Sequence, residues 1–122
     1  MFRRCFLASV TFLIALGAAA APLPQEQSRI DRLILAVESR KDMKFIRNGT
    51  EYDAADAGRF LRGKLEAMGR EVTTAREFIE RIASKSSMSG QPYHVKLGDG
   101  RLIPAAQFLF DELKRMDAAR PA

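Results

Sequence analysis

Apolar side chains recur at intervals of three and four residues in four stretches of this chain, the spacing that places them on one face of an α-helix. The first stretch predicts a helix from about Gln27 to Arg40, after a loose lead from Pro22 to Glu26. Capping signals mark the starts of two others: Thr50 or Asp53 for the second helix, and the box Thr74-Ala75-Arg76-Glu77 for the third. The inward-facing residues of the four helices are Ile30, Leu33, Ile34 and Val37; Ala57, Phe60, Leu61, Leu65 and Met68; Phe78, Ile79, Ile82 and Ala83; and Phe108, Leu109, Leu113 and Met116.

Strand patterns occupy less of the chain. Apolar and polar side chains alternate over residues 93–97, and the Asp99-Gly100 turn lets residues 101–103 return as a second strand. Residues 44–49 form a short extended piece that stops at an Asn-Gly turn, and residues 84–92 form a serine- and glycine-bearing loop that we expect to be exposed. The predicted fold class is mainly α with a small β-hairpin (α+β): about four amphipathic helices, with the hairpin inserted before the last helix.

Residues 1–20 have the three parts of a secretory signal peptide. A cationic start precedes an apolar run, Cys5–Gly17, and Ala18–Ala20 then supply the small side chains that a signal peptidase requires. We therefore expect cleavage after Ala20 or Ala21. The product would be one small periplasmic domain, residues 21–122, with an ordered core at 27–116.

An uncleaved membrane anchor is the alternative for this N-terminal segment. A spanning helix needs roughly 20 apolar residues, and the run from Cys5 to Ala21 falls short of that and ends in weakly hydrophobic alanines. Cys5 is the single cysteine and lies at the start of the run, whereas a lipoprotein carries its cysteine at the cleavage site. Because cleavage would remove Cys5, the mature domain would have no disulfide, no catalytic thiol and no zinc–thiolate site. We expect no stable membrane insertion afterwards.

The charge of the chain changes the picture only slightly. It carries 20 Lys and Arg against 15 Asp and Glu, and the loss of Arg3 and Arg4 with the signal lowers the net charge from +5 to +3. Nucleic-acid binding calls for a basic stripe, which acidic residues interrupt, so we expect no nucleic-acid partner. We also expect no cofactor and no metal, because His94 is the only histidine. The interrupting acids are Asp31, Asp53, Asp56, Glu66 and Glu77.

Two groups of motifs resemble a known family. The first is Phe45-Ile46-Arg47-Asn48-Gly49 with Tyr52-Asp53-Ala54-Ala55 and Leu61-x-x-Lys64, and the second runs from Phe78-Ile79 through Ser86-Ser87 to Tyr93-x-Val95. Together they resemble the small YfeK-like proteins of the bacterial envelope, a family of unknown function. The resemblance covers about residues 30–113 and implies a periplasmic location and a mostly helical domain. It implies no activity, cofactor or catalytic residue.

The segment Arg47-Asn48-Gly49-Thr50 is the first candidate site. It precedes a predicted helix, whose free N–H groups and dipole attract anions, and Arg47 can add a bidentate contact. The simpler interpretation is a turn in which Asn48 bonds the local backbone and Arg47 pairs with an acid.

The serines of the loop at 84–92 are the second candidate. A serine–lysine hydrolase would use Ser86 or Ser87, and that chemistry needs a desolvated lysine in contact with the hydroxyl. Lys85 is adjacent in sequence, but the chain has neither a Ser-x-x-Lys element nor a Gly-x-Ser-x-Gly elbow. A polar connector, or a loop that binds through its hydroxyl and backbone groups, is the favoured interpretation.

Tyr52 and Tyr93 flank these two motifs, and their hydroxyls can join Arg47, Asn48 and Ser87 in one polar patch if the segments meet. Such a patch is either a binding site or a hydrogen-bond network that fixes the fold.

Our leading hypothesis is a non-enzymatic envelope module that binds a protein partner or a cell-wall or glycan ligand. The alternatives are a small serine-dependent envelope hydrolase and a peripheral membrane-surface protein. We assign no catalytic residue; the candidate ligand-binding residues are Arg47, Asn48, Gly49, Tyr52, Ser86, Ser87 and Tyr93.

Overall fold

The computed structural model describes residues 22–119, in which helices pack against a four-stranded antiparallel sheet. The predicted signal, residues 1–20, lies outside the described residues. The helices are α1 (Pro24–Ser39), α2 (Ala54–Met68), α3 (Ala75–Glu77) with its π-helical continuation (Phe78–Ala83), and α4 (Ala105–Ala119); a 3₁₀ turn (Gly69–Glu71) follows α2. The strands are β1 (Lys44–Arg47), β2 (Thr50–Tyr52), β3 (His94–Lys96) and β4 (Leu102–Pro104).

Helix α1 begins earlier than the sequence pattern predicts. Pro24 occupies its first turn, where a proline is tolerated because the missing N–H has no intrahelical partner there. The predicted loose lead is therefore wrong from Pro24 onward. Glu26, in that first turn, accepts a hydrogen bond from the backbone N–H of Ala75 at 2.8 Å. This contact ties the start of α1 to the start of α3.

Asp53, and not Thr50, caps helix α2. Its carboxylate accepts the N–H of Asp56 at 2.9 Å, whereas Thr50 lies in strand β2. At the other end, Gly69 follows the last residue of α2, a position where a left-handed glycine commonly terminates a helix. Its φ is −61°, so the chain stays right-handed and tightens into the 3₁₀ turn instead.

Helix α3 has the predicted cap at Thr74, whose hydroxyl accepts the N–H of Glu77 at 3.1 Å. The Glu77 carboxylate in turn accepts both the N–H and the hydroxyl of Thr73, and these bonds lower the pKa of Glu77. The helix then widens into π geometry at Phe78 and stays so until Ala83, with its apolar residues in the core.

The sheet contains two hairpins where the sequence analysis predicted one. The second arises at Asn48-Gly49, where both residues have positive φ, 51° and 81°, as a two-residue type I′ turn requires. Strands β1 and β2 flank this turn, with Arg47 opposite Thr50. Strand β1 also pairs with β3, so the two hairpins join in the order β2-β1-β3-β4.

One apolar core joins all these elements. It takes Phe45 and Val95 from the sheet, Tyr93 from the residue before β3, and the inward faces of the four helices, including fully buried Leu33 and Phe78. The predicted α+β class, with a hairpin directly before the last helix, is confirmed. Within residues 22–119, no helix is long and apolar enough to cross a bilayer.

Candidate functional site

The two polar motifs meet at a pocket beside helix α2. The end of β1 forms one wall, the loop at 84–92 forms another, and the pocket has a volume of about 260 Å³. Asn48 and Ser89 join the two motifs directly, since the Ser89 hydroxyl donates to the Asn48 Oδ1 at 2.8 Å. The lining residues are Arg47, Asn48, Phe60, Lys64, Ala67, Met68, Ser86, Ser87, Met88 and Tyr93.

Arg47 is held by aromatic side chains. Its guanidinium carbon lies 4.3 Å from the ring centroid of Phe60 and 5.1 Å from that of Tyr52, and its Nη2 donates to the Tyr52 hydroxyl at 3.0 Å. Its buried Nε has no hydrogen-bond partner among the described residues. Aromatic faces attract a cation without neutralising it, so Arg47 keeps its full positive charge at the pocket.

Lys64 supplies a second cation. Its Nζ donates to the Lys85 carbonyl at 2.8 Å and to the Tyr93 hydroxyl at 3.0 Å, and lies 4.9 Å from the centroid of the Tyr93 ring. Burial, together with the charge of Arg47, lowers the pKa of Lys64. The two cations therefore repel each other across the site.

Tyr93 forms the aromatic floor of the pocket. Its buried ring packs against Phe45 and Phe60 at centroid distances of 5.4 and 5.7 Å. Burial raises the pKa of Tyr93, so its phenol stays protonated at neutral pH. Because the hydroxyl oxygen accepts from Lys64, its own proton remains to be donated.

In the part of the chain that the structure describes, no carboxylate offsets these charges. Among residues 22–119, no Asp or Glu oxygen lies within 4 Å of a side-chain nitrogen of Arg47 or Lys64, although ion pairs join many other basic residues of this part of the chain. Acidic groups cluster instead at the start of α2, where Asp53 already caps the helix. The expectation that Arg47 adjoins the N-terminus of that helix is wrong, because β2 separates them.

The serine loop is ordered by its own hydrogen bonds. Ser86 is only 6% exposed, and its hydroxyl oxygen accepts the backbone N–H groups of Met88 and Ser89 at 3.3 and 3.2 Å. The Ser87 hydroxyl lies 3.5 Å from the sulfur of Met68. The expected exposure of the loop thus holds for most of its residues but is wrong for Ser86.

These bonds leave the serine hydrolase alternative without geometric support. Within the described range, neither the Ser86 nor the Ser87 hydroxyl hydrogen-bonds a lysine or a histidine, the contact that activates a nucleophilic hydroxyl. The same range holds no group of three His, Asp or Glu side chains that would suit a metal ion.

Of the seven candidate binding residues, five line the pocket: Arg47, Asn48, Ser86, Ser87 and Tyr93. Tyr52 lies behind it and orients Arg47, whereas Gly49 serves only the turn.

The sequence analysis missed Lys64 as a site residue. The available signal was its position one turn after Phe60 on α2, next to residues assigned to the core. Met88, at the rim, was missed as well; it was counted as part of an exposed connector.

Comparison with known proteins agrees with the resemblance seen in the motifs. The chain is 36% identical over 91 residues to the uncharacterised protein YfeK of Salmonella typhimurium, an alignment that covers 75% of this chain and 76% of that protein. No solved structure matches the chain. A family described as being of unknown function, DUF5329, matches residues 24–117. The chain therefore belongs to this uncharacterised family, and the membership assigns it no activity.

Proposed function

We propose that this protein is a non-enzymatic binding module of the bacterial envelope and that the pocket between Arg47, Lys64 and Tyr93 is its ligand site. The observation that carries the proposal is the pairing of two cations, without a carboxylate, over an aromatic and methionine-lined surface. A structural network would normally neutralise such charges, because an unpaired, partly buried cation destabilises the folded state.

The ordered loop supports the same proposal. The hydroxyl of Ser86 and the Asn48–Ser89 bond hold the pocket wall in place before any ligand arrives. Binding then costs little conformational entropy, which favours affinity at a small site. The ligand we propose is part of a protein partner, a cell-wall fragment or a glycan.

The envelope address rests on residues 1–20, whose pattern is that of an export signal. Edman sequencing of the protein recovered from a periplasmic extract tests it. A mature chain that begins at Ala21 or Pro22 supports export, and an intact Met1 in the cytoplasmic fraction contradicts it.

A thermal-shift screen of the purified protein tests the binding function. The panel contains muropeptides, glycans, phosphate-bearing compounds and anionic vesicles. A ligand at 100 times its Kd adds about 2.7 kcal/mol to stability, which raises the Tm of a domain of this size by roughly 10 °C.

The matched variants are Lys64→Met and Lys114→Met, which make the same change of charge on two helices. Lys114 lies on α4 and outside this pocket. A shift that Lys64→Met abolishes and Lys114→Met keeps locates the ligand in the pocket. A shift kept by both variants contradicts the proposed site, and no shift with any compound contradicts a cell-wall or glycan ligand.

A further inference from the structure

We infer that the pocket selects a monoanion on an apolar body: a single carboxylate attached to a short hydrophobic group. The inference rests on the proposed function and names the ligand class of the same site. It follows from three properties of the lining: its net charge, the number of hydrogen-bond donors it leaves free, and its apolar surface.

The lining attracts negative charge on two sides. Arg47 and Lys64 both belong to it, and neither has a carboxylate partner among residues 22–119. Burial and then the charge of Arg47 lower the pKa of Lys64, and an anion placed between the two cations is favourable because it offsets their repulsion.

The free donors of the lining suit a carboxylate, and the apolar surface around them disfavours a phosphate dianion. Lys64 already donates two of its three protons, and Tyr93 has one O–H proton left. Arg47 retains the N–H groups that do not bond Tyr52. Together these N–H and O–H groups can bind both oxygens of a carboxylate, whereas a phosphate dianion brings a second charge whose transfer from water to a largely apolar lining costs more.

Apart from Asn48 and the two serines, Ser86 and Ser87, the rest of the lining is apolar. Phe60, Ala67 and Met68 face the pocket from α2, and Tyr93 adds its ring. Met88 lies at the rim with 98% of its surface exposed, a position in which a flexible thioether side chain can close over an apolar ligand. The volume of about 260 Å³ is below the usual 300–1,000 Å³ of drug-sized ligand sites, so the ligand enters by one small group.

Two sources offer this chemistry: the C-terminal residue of a peptide and the head of a fatty acid. The test is an NMR titration of the purified protein with N-acetyl-leucine for the first and octanoate for the second, following the signals of Lys64 and Tyr93. N-acetyl-leucinamide keeps the apolar body without the charge, acetate keeps the charge without the body, and phenyl phosphate adds a second charge.

We expect at least one of the two hydrophobic carboxylates to bind at least tenfold more tightly than N-acetyl-leucinamide, acetate and phenyl phosphate. Lys64→Met should weaken that binding about tenfold and Lys114→Met should leave it unchanged. Met88→Ser should weaken the binding of N-acetyl-leucine or octanoate but not the binding of acetate. The stronger of the two carboxylates identifies the source.

Three results would overturn the inference: equal binding of the acid and its amide, tighter binding of phenyl phosphate, or no binding of either hydrophobic carboxylate. If a compound of the thermal-shift panel still occupies the pocket in any of these cases, the binding function stands and only the ligand class is wrong. If nothing occupies the pocket, both fall.

Discussion

Arg29 and Arg47 are both partly buried, and each has an Nε without a hydrogen-bond partner among residues 22–119, yet their surroundings differ. Arg29 donates to the carboxylates of Glu26 at 2.7 Å and of Asp117 at 2.6 Å, so it joins α1 to α4. Arg47 contacts the ring of Phe60 and both the ring and the hydroxyl of Tyr52. One cation is neutralised within the fold, and the other is left available to an outside anion.

The pKa shifts follow the same division. Burial alone would lower the pKa of Arg29, but its bonds to Glu26 and Asp117 outweigh burial and raise it. For Lys64, burial and the charge of Arg47 act in the same direction and lower the pKa. Burial of a cation therefore does not by itself indicate a binding site. We base the proposed site on the absence, among residues 22–119, of a carboxylate beside Arg47 and Lys64.

The largest effect is expected at Glu26, which serves the neutralised cluster twice. Glu26→Ala removes a carboxylate from Arg29 and leaves the N–H of fully buried Ala75 without its acceptor. We expect a loss of about 2–3 kcal/mol in the free energy of unfolding, because an unsatisfied buried donor loses its water as well as its partner. Urea denaturation measures it.

Glu26→Gln is the control for that variant. It keeps an oxygen for the Ala75 N–H and removes the charge, so we expect a loss of only about 1 kcal/mol. A glutamine variant as unstable as the alanine variant would show that the charge on Arg29, and not the bond to α3, is what Glu26 stabilises.

Next in size is the difference between the two arginines themselves. Arg29→Met breaks two charged hydrogen bonds and leaves Asp117 with fewer partners, and we expect it to cost about 1–2 kcal/mol. Arg47→Met loses the Tyr52 bond and the ring contacts but removes the repulsion of Lys64, so its net change should stay within about 1 kcal/mol. Paired urea melts give both values. Equal losses would mean that Arg47 is a structural residue like Arg29.

The helix that carries Arg29 could be predicted from the sequence better than the pocket that contains Arg47. Arg29 lies on a helix whose apolar period of Ile30, Leu33 and Ile34 is plain, and a helix fixes its faces by local spacing. Its partner Asp117, however, is 88 residues away and no local pattern reports it.

The pocket that contains Arg47 depends on contacts between segments that are far apart in sequence. The sequence analysis missed the hairpin at Asn48-Gly49 because Thr50 also fits the N-cap of a helix. In the structure, the pairing of β1 with β2 and with β3 places Thr50 in a strand. The approach of Lys64 to the Lys85 carbonyl joins positions 21 residues apart. Turn signals indicate the Asn48-Gly49 and serine-loop residues of the site. Only the packing of α2 against the loop adds Lys64 to them.

A glycine pair sharpens the contrast between the hairpin that carries Arg47 and the helix that carries Lys64. Gly49 has a φ of +81°, and an added Cβ would meet nothing within 4 Å, so Gly49→Ala tests backbone strain alone. We expect it to cost about 1 kcal/mol. Gly63, inside α2, is equally open but right-handed, and Gly63→Ala should gain about 0.5–1 kcal/mol. Thermal unfolding compares them, and equal signs would contradict the left-handed turn.

The smallest expected effect is the pH dependence that Lys64 contributes. The folded state lowers the pKa of Lys64, so between that lowered value and 10.5 the unfolded chain holds more of the proton than the folded one. Stability then rises with pH through this window, by less than one proton's worth of slope. Arg29 contributes no such slope there, because its ion pairs raise its pKa still further above this window.

The difference in urea stability between the natural chain and Lys64→Met isolates this contribution when it is followed from pH 7 to 9.5. The upper limit lies below 10.0, the ordinary pKa of a tyrosine, so Tyr93 is mostly protonated in both states, and because both proteins contain it, its contribution largely cancels in the difference. We expect the difference to shift in favour of the natural chain as pH rises, and Lys114→Met to show no such trend. A flat difference would mean that Lys64 is as well neutralised as Arg29. It would contradict the repulsion between Lys64 and Arg47 that an anion in the pocket is expected to offset.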